Sequence, residues 1–409
     1  MKVFERYLER NRIWCEPDFS EETQVIVIIP VLNDREIFHT LDSLRHCISV
    51  REQAGIIVVV NHGENCEEQL KAENRLLSRE LQEYAGCCKE ELHLCIIEAF
   101  DLPAKYAGVG LARKIAMDAA AAFFYRQGKY EAPIVSLDAD TLVEDNYLQE
   151  IVTFFRKQAV TGVSVAYAHR LDEEGCEGLA RLAMVKYELY LRYYQMALAY
   201  TGHPHAYACI GSAFAVRAVD YVAQGGMNRR QAGEDFYFLQ KLIATGRFAA
   251  LNSTRVYPSA RFSDRTPFGT GQSLRQIVER QGEFPVYHFG AFLDLKYFFS
   301  GLPVLYKSGS QMTADYISRL APHLQDFLKE IDIEGMVAEV NANCASEKQF
   351  IRRFYDHFNA FRVLKYLNYV HETTYQKADI LSELKSLTEI LGWEWKGNAE
   401  EILERLRRI

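Results

Sequence analysis

APIVSLDAD, residues 132–140, is a run of apolar and β-branched residues that ends in two aspartates, Asp138 and Asp140. Such a run is typical of a buried strand. Three earlier runs have the same character: QVIVIIP at 24–30, GIIVVVN at 55–61 and LHLCIIE at 92–98. Helical patterns separate the four runs. This alternation predicts an α/β fold with a mostly parallel sheet that is flanked by helices.

The paired aspartates follow the fourth run, and ligands of such sheets bind at the carboxyl ends of the strands. Residues i and i+2 of an extended segment point the same way, so the carboxylates of Asp138 and Asp140 are expected to meet. Their repulsion costs about 1–4 kcal/mol in a partly wet site. A hard cation that shares oxygen ligands with phosphates removes this cost, which predicts Mg²⁺ or Mn²⁺ on Asp140 and Asp138. The alternative is structural, because aspartates also form turns after strands.

A second acidic motif lies in GGMNRRQAGEDFYFLQKL, residues 225–242, where Glu234 and Asp235 precede the apolar residues of a helix. Acids in a first helical turn favour the helix dipole and cap free amides, which is a purely structural role. The functional alternative is a general base that deprotonates a hydroxyl group.

Length and composition predict one large α/β domain with an appendage, or two domains. The chain has 409 residues, of which 49% are hydrophobic and 25% are charged, an ordinary globular mixture. Chemical signals are few beyond residue 270, where the pattern becomes helical. We therefore predict a first domain at 1–270 and a mostly helical region at 271–409.

The net charge of −8 argues against nucleic acid as a partner and against a general attraction to anionic lipid. The most apolar late stretch, residues 289–306, carries Asp294 and Lys296. Charge at a bilayer centre is costly, so no membrane span is expected, although peripheral contact stays open. Nine cysteines without a CxxC motif, and an N-terminus without an apolar signal segment, predict reduced thiols and a cytoplasmic location, including the inner face of the membrane.

Six segments in this order resemble a GT-A-fold glycosyltransferase of the family 2 type, which has a Rossmann-like sheet. They are VIVIIPVLND, GIIVVVNHGEN, GVGLARKIAMDAA, VSLDADTLVEDNYL, CIGSAFAVRAVDYVAQGG and GEDFYFLQKLIATG. The resemblance covers residues 24 to 250. No single segment is specific, but the six together in this order are.

The resemblance implies a role for each matching residue. The nucleotide-sugar pocket would hold Pro30, Val31, Asn33, Asn61, Arg113, Asp138, Gly211 and Ser212. Asn61 stands where the family usually has an aspartate that contacts the base, so the base is left open. Glycines 108 and 110 would let the backbone approach the diphosphate. Asp140 and Asp138 would bind the metal, and Asp235 would be the catalytic base with Glu234 beside it.

A loop rich in small residues, SARFSDRTPFGTG at 259–271, adds two cationic candidates. Arg261 and Arg265 are expected to bind the departing diphosphate from a lid, or else to belong to a solvated loop. A third metal ligand could come from His203, His205 or His288. The aromatic helix at 187–200 favours core packing or a dimer contact over an acceptor site.

The sequence thus predicts a metal-dependent, hexosyltransferase-like enzyme. It would move one sugar from a nucleotide-sugar donor to a hydroxyl acceptor, either a glycan or a lipid-linked precursor. Inversion at the anomeric carbon is implied by the resemblance alone. Two alternatives stay open: a nucleotidyltransferase, and a catalytically degenerate protein that binds a nucleotide or a glycan.

Overall fold

The structure is a computed structural model that describes residues 2–47, 53–231, 233–262 and 270–409. The elements of the first part are α1 (Lys2–Arg10), β1 (Val25–Val31), α2 (Ile37–Arg45), β2 (Ala54–Gly63), α3 (Glu68–Cys87), β3 (His93–Leu102), α4 (Val109–Arg126), β4 (Pro133–Ser136), β5 (Thr141–Val143), α5 (Tyr147–Lys157) and β6 (Gly162–Tyr167). Next come α6 (Gly178–Tyr200), β7 (Phe214–Arg217), α7 (Ala218–Ala223), α8 (Glu234–Ile243), β8 (Phe248–Pro258), α9 (Thr270–Glu279) and β9 (Pro285–Val286). The chain continues with α10 (Phe289–Ser300), α11 (Leu302–Leu305), α12 (Ser310–Ile317), α13 (Pro322–Glu330), α14 (Ile333–Ala342), α15 (Glu347–His357), α16 (Ala360–Thr373), β10 (Ala378–Asp379), α17 (Ile380–Ile390) and α18 (Ala399–Leu406).

The main sheet has eight strands in the order β3-β2-β1-β4-β7-β6-β8-β5. The four strands β3, β2, β1 and β4 are parallel, as predicted. β7 runs antiparallel to both of its neighbours, and β5 runs antiparallel to β8. The predicted α/β class with a mostly parallel, helix-flanked sheet and a helical C-terminal part is therefore confirmed.

The central strands form because their side chains are buried on both faces. Every residue of β1 and β2 is buried, which suits their Val and Ile runs. The alanine-rich α4 buries fourteen residues and packs on these two strands. Because β1, β2 and β4 are parallel, their carboxyl ends lie at one edge of the sheet, and the acidic motifs meet there.

The chain divides into two compact units. The first comprises Met1–Cys176 and Cys209–Ser273, and the second comprises Glu177–Ala208 and Leu274–Ile409. The first unit contains the main sheet. The predicted folding domains at 1–270 and 271–409 stay a prediction.

The second unit is a set of helices with a two-stranded antiparallel ribbon, β9 and β10. Its core is aromatic, and Phe298 contacts both Phe354 and Phe358. Within α6, the Tyr193 hydroxyl is buried and donates to the carbonyl of Tyr287 at 2.8 Å. In the described part of the chain, no helix combines the length and hydrophobicity that a bilayer crossing requires.

Candidate active site

The DxD segment is a turn between β4 and β5 rather than the end of an extended strand. The Thr141 amide donates to the Asp138 carbonyl at 3.2 Å, and the Ser259 amide donates to the Asp140 carbonyl at 3.1 Å. The Thr40 hydroxyl donates to the carbonyl of Ala139 at 2.8 Å. The predicted strand over 132–140 is therefore too long, because these bonds draw the backbone out of the sheet after Ser136. The two aspartates consequently pair with different arginines.

Arg113 joins the two acidic motifs. It lies near the start of α4, and its guanidinium pairs with the carboxylates of Asp138 and Glu234. The Arg113 and Glu234 side chains are only 4% and 2% exposed, whereas that of Asp138 is 37% exposed. Burial alone would lower the pKa of Arg113, but the nearby carboxylates, led by Asp138 and Glu234, raise it above its ordinary value. Arg113 therefore stays charged and holds one acid of each motif in a single cluster.

The Cα positions of Gly108 and Gly110 face other parts of the chain. A Cβ at Gly110 would collide with the carbonyl of Arg230 and lie 3.0 Å from the Glu234 side chain. A Cβ at Gly108 would lie 3.1 Å from the Cα of Gln231. The two glycines therefore allow the residues before Glu234 to pack closely on the start of α4, and their approach to a diphosphate stays a prediction.

Gly211 and Ser212 lie directly before β7. The Ser136 hydroxyl donates to the Gly211 carbonyl at 2.8 Å, which ties this turn to the end of β4. A Cβ at Gly211 would lie 2.8 Å from the guanidinium carbon of Arg113. Gly211 therefore leaves the space that the Arg113 guanidinium fills, and Ser212 is buried beside it.

We expect Gly211→Ala to lower the free energy of unfolding by about 1–3 kcal/mol, because an added methyl in a packed site forces its neighbours to shift. Urea unfolding measures this. The matched control is Gly86→Ala in α3, where an added Cβ meets nothing within 4 Å. Alanine there is expected to be neutral or stabilising, since glycine weakens a helix interior. Equal stability of the Gly211→Ala variant and the wild type would contradict the packing described here.

α8 begins at Glu234 and presents Asp235 in its first turn. Gly233 precedes it with φ 68°, a conformation that glycine adopts most readily. Burial raises the pKa of Glu234 to about 7 against the opposing effect of Arg113. Burial also raises the pKa of Asp235, whose Oδ1 accepts from the Phe236 amide at 2.7 Å. Asp235 is only half-buried, so of the two acids it is the one that a hydroxyl group can reach.

A second arginine, Arg261, bridges Asp34 and Asp140, the other aspartate of the DxD turn. The Arg261 guanidinium pairs with Asp34, and it also lies 3.1 Å from Asp140 Oδ2. Burial, together with the charges of Asp138 and Asp34, raises the pKa of Asp140 to about 6. The carboxylates of Asp34 and Asp138 therefore repel that of Asp140. The other predicted lid residue, Arg265, lies outside the described residues.

A cleft of about 490 Å³ opens beside this second bridge. It is lined by Asn33, Asp34, Arg35, Glu36, Glu73, Leu76 and Arg261. Of the predicted pocket residues, Asn33 and Arg261 are thus in this lining. Pro30 and Val31 are buried within β1, where they pair in register with Val59 and Val60.

Asn74 is a buried residue that the sequence interpretation missed. Its side chain accepts from the Asn33 amide at 2.8 Å and donates to the Asn61 carbonyl at 2.7 Å. It therefore fixes the ends of β1 and β2 relative to each other. The available signal was its place on the buried stripe of α3, together with Leu77 and Leu81. A polar side chain at an apolar position of such a stripe indicates a specific hydrogen-bonded role.

The three candidate third metal ligands all lie in the second compact unit, and the rings of His203 and His288 have hydrogen-bond partners there. The Nε2 of His203 lies 2.9 Å from the carbonyl of Phe358, and burial lowers the pKa of His203 to about 3. Burial also lowers the pKa of His205 to about 4. The ring of His288 caps α10 by accepting from the amide of Gly290. Over the described ranges, no group of three or more His, Cys, Asp or Glu side chains is arranged to hold a metal ion.

Comparisons with known proteins give only structural neighbours. No protein-family model matches the chain, and no curated protein matches it. One similar solved structure is S. aureus TarS 1–349 in complex with UDP-GlcNAc, at 12% identity over 83% of this chain and 93% of that chain, with a TM-score of 0.41. Another is the mannosyltransferase PcManGT from Pyrobaculum calidifontis in complex with GDP-Man and Mn²⁺, at 14% identity over 96% of this chain and 93% of that chain, with a TM-score of 0.39.

A third neighbour is GalNAc-T7 with UDP, GalNAc and Mn²⁺, at 14% identity over 83% of this chain and 58% of that chain, with a TM-score of 0.39. Identities and TM-scores are low for all three, so the function proposed below rests on the residues of this chain. One of the three is described as a mannosyltransferase.

Proposed function

We propose that this chain is a metal-dependent glycosyltransferase that moves one sugar from a nucleotide-sugar donor to a hydroxyl acceptor with inversion. The observation that carries the proposal is the Arg113 cluster, which brings Asp138 of the DxD turn and the Glu234–Asp235 pair to one edge of the sheet. In the proposed transfer, one set of carboxylates holds a metal ion at the diphosphate, and a separate carboxylate takes the proton of the acceptor hydroxyl. The pairing of both motifs with Arg113, although they lie nearly a hundred positions apart in sequence, supports this assignment.

On the donor side, the cleft between the end of β1 and the first half of α3 offers a place for the nucleoside. Asn33 lines it with polar groups, and the half-exposed Leu76 offers an apolar surface for a ring. Arg261 borders the same cleft and already pairs with carboxylates, so it can pair with a released diphosphate instead. Gly211 and Ser212 would form the floor under the sugar.

The residues of the DxD turn fit Mg²⁺ or Mn²⁺. Carboxylate oxygens are the ligands that these ions prefer, and Mg²⁺ sites commonly use one or two carboxylates together with substrate phosphates. The crowding of Asp138 and Asp34 on Asp140 is a repulsion that a cation would relieve. Asp140 and Asp138 would hold the ion, which supplies neutralisation of the diphosphate charge when bound.

On the acceptor side, we assign Asp235 as the general base and Glu234 as its buried neighbour. The Asp235 carboxylate takes the proton of the acceptor hydroxyl while that oxygen bonds to the anomeric carbon. The bond from this carbon to the diphosphate oxygen breaks as the new bond forms, so the leaving group departs from the opposite face. Glu234 stays paired with Arg113 and fixes the start of α8. The acceptor class, a glycan or a lipid-linked precursor, follows from the sequence resemblance.

Release of a nucleoside diphosphate tests the proposal. The purified chain would be incubated with UDP-, GDP-, CDP- and dTDP-sugars, Mn²⁺ and a mixture of sugar acceptors. Metal-dependent release from one donor class is expected. Release of pyrophosphate from a nucleoside triphosphate and a sugar phosphate would favour a nucleotidyltransferase, and no release beside intact donor binding would favour a degenerate binding protein.

We expect Asp140→Asn to remove the Mn²⁺ dependence of donor binding, because the amide keeps the shape of the side chain but not its charge. Isothermal titration with the donor, with and without Mn²⁺, measures this. Asp145→Asn is the matched control, since Asp145 is exposed and lies in the turn that follows β5. An unchanged effect of Mn²⁺ in the Asp140→Asn variant would contradict the metal assignment.

A further inference from the structure

A buried polar network lies next to the Arg113 cluster along α4. Lys114 pairs with Asp118 one turn later, at 2.8 Å, and also donates to the Tyr7 hydroxyl at 2.8 Å. The hydroxyls of Tyr7 and Tyr221 donate to the same oxygen, Asp118 Oδ1, at 2.7 and 2.6 Å. All four side chains are buried. The network therefore joins α1, α4 and α7.

Burial of this network costs free energy, because the charges of Lys114 and Asp118 are removed from water and the side chains of Lys114 and Tyr7 are held in one geometry. Burial, and then the Asp118 charge, raise the pKa values of Tyr7 and Tyr221, so both hydroxyls remain donors at neutral pH. A set of apolar side chains would stabilise three helices as well. The polar network therefore calls for a role other than stability.

The network contacts the segment that leads to the catalytic acids. A Cβ at Gly226 would collide with the Tyr7 hydroxyl and lie 3.1 Å from the Tyr221 hydroxyl, so the backbone at Gly226 rests on both groups. Two residues later, Asn228 Nδ2 donates to the Glu234 carbonyl at 2.9 Å. Gly226 is thus held against Tyr7 and Tyr221, and Asn228 ties the chain two residues later to the start of α8.

We propose that Tyr7 is a positioning residue, which sets Asp235 for proton transfer by holding Gly226 over the Lys114–Asp118 pair and, through Asn228, the start of α8. This rests on the proposed function, because Asp235 is its catalytic base. Tyr7 lies more than two hundred positions from Asp235 in sequence and acts through Gly226 and Asn228. Within α1, Tyr7 is then the residue that influences the position of the catalytic base.

Tyr7→Phe removes one hydroxyl and keeps the ring. We expect the hydrogen-bonded amides of Gly226, Arg230 and Tyr237 to exchange hydrogen about fivefold faster, which corresponds to the loss of one hydrogen bond. We expect kcat to fall about tenfold with an unchanged donor dissociation constant, because small misplacements of a catalytic group are costly. Tyr125→Phe is the matched control, since that hydroxyl also joins α1 to α4, through Glu5, at 3.2 Å. Neither quantity should change in it.

Phe4→Leu separates positioning from stability. Phe4 is a fully buried residue of α1 that contacts Tyr125 and Tyr130. The Phe4→Leu substitution should lower the melting temperature, while hydrogen exchange of the same amides and kcat stay as in the wild type. The proposal is overturned if Tyr7→Phe leaves both quantities unchanged, or changes them only as far as Phe4→Leu does. Hydrogen exchange decides the matter even if the wild type transfers no sugar, so failure of the proposed function is recognised separately.

Discussion

Asp235→Asn lowers the kcat for sugar transfer by about 10²- to 10⁴-fold on the present account, the range that a general base contributes. Asparagine keeps the oxygen that accepts from the Phe236 amide, so the start of α8 is preserved. It cannot accept the proton of a hydroxyl group. Donor binding should stay within about twofold of the wild type, because the base contributes to the transition state more than to the ground state. Steady-state kinetics and isothermal titration measure the two quantities.

The matched control for this variant is Asp220→Asn, since Asp220 also lies in the first turn of a helix, α7, and pairs with Arg247. Its kcat should equal that of the wild type. Transfer at the wild-type rate in the Asp235→Asn variant would remove the base assignment. Glu234 would then be the next acid to test.

Arg113→Met has the largest expected effect on stability. Loss of one partner of a buried ion pair costs about 3–5 kcal/mol, because the remaining charges are left without compensation. Here Glu234 is buried, and Asp138 loses the same partner. The comparison is Arg35→Met, which removes a surface pair with Glu80 in which the Arg35 side chain is 63% exposed. That change should cost less than about 1 kcal/mol.

The cost of Arg113→Met depends on pH with a defined sign. The pKa of Glu234 is raised from its ordinary value of 4.5 to about 7, so the free energy of unfolding falls as the pH rises between these two values and levels off above about 7. Without Arg113 the ionised form is less favourable, and the pKa of Glu234 lies higher still. Wild type and variant should therefore lose stability in parallel below about pH 6, and the difference in their unfolding free energies should grow from about pH 6 to pH 9, where Glu234 ionises in the wild type but less in the variant. A difference that is constant over this range, or equal to that of Arg35→Met, would contradict the role of Arg113.

The parallel half of the sheet could be predicted because its signal is local. β1 and β2 are continuous runs of buried Val and Ile, and the structure places them within one or two residues of the prediction. The antiparallel β7 was not predicted, since its four residues, FAVR, carry no distinctive pattern. β4 was predicted too long, because the sequence does not show that the amides of Thr141 and Ser259 bond to the turn.

The acidic residues of the site could be proposed from their motifs, but their pairing could not. Arg113 and Glu234 are 121 positions apart, and Arg261 and Asp34 are 227 apart. Nothing local in the sequence connects such residues. The predicted contact of Arg113 with the nucleotide sugar stays a prediction, and the sequence did not indicate that its guanidinium pairs with Asp138 and Glu234. Physical proximity of this kind depends on the sheet, which brings strand ends together regardless of their separation along the chain.

A thermal-shift panel tests the central claim most directly. The chain would be heated with UDP, GDP, CDP, dTDP and their sugars, each with and without Mn²⁺. A ligand that binds only the folded state raises the melting temperature by mass action. We predict a shift with one nucleotide class that requires Mn²⁺, is retained in Asp235→Asn and is lost in Asp140→Asn. No shift with any nucleotide, or one that persists unchanged in Asp140→Asn, would contradict a metal-dependent nucleotide-sugar site at this edge of the sheet.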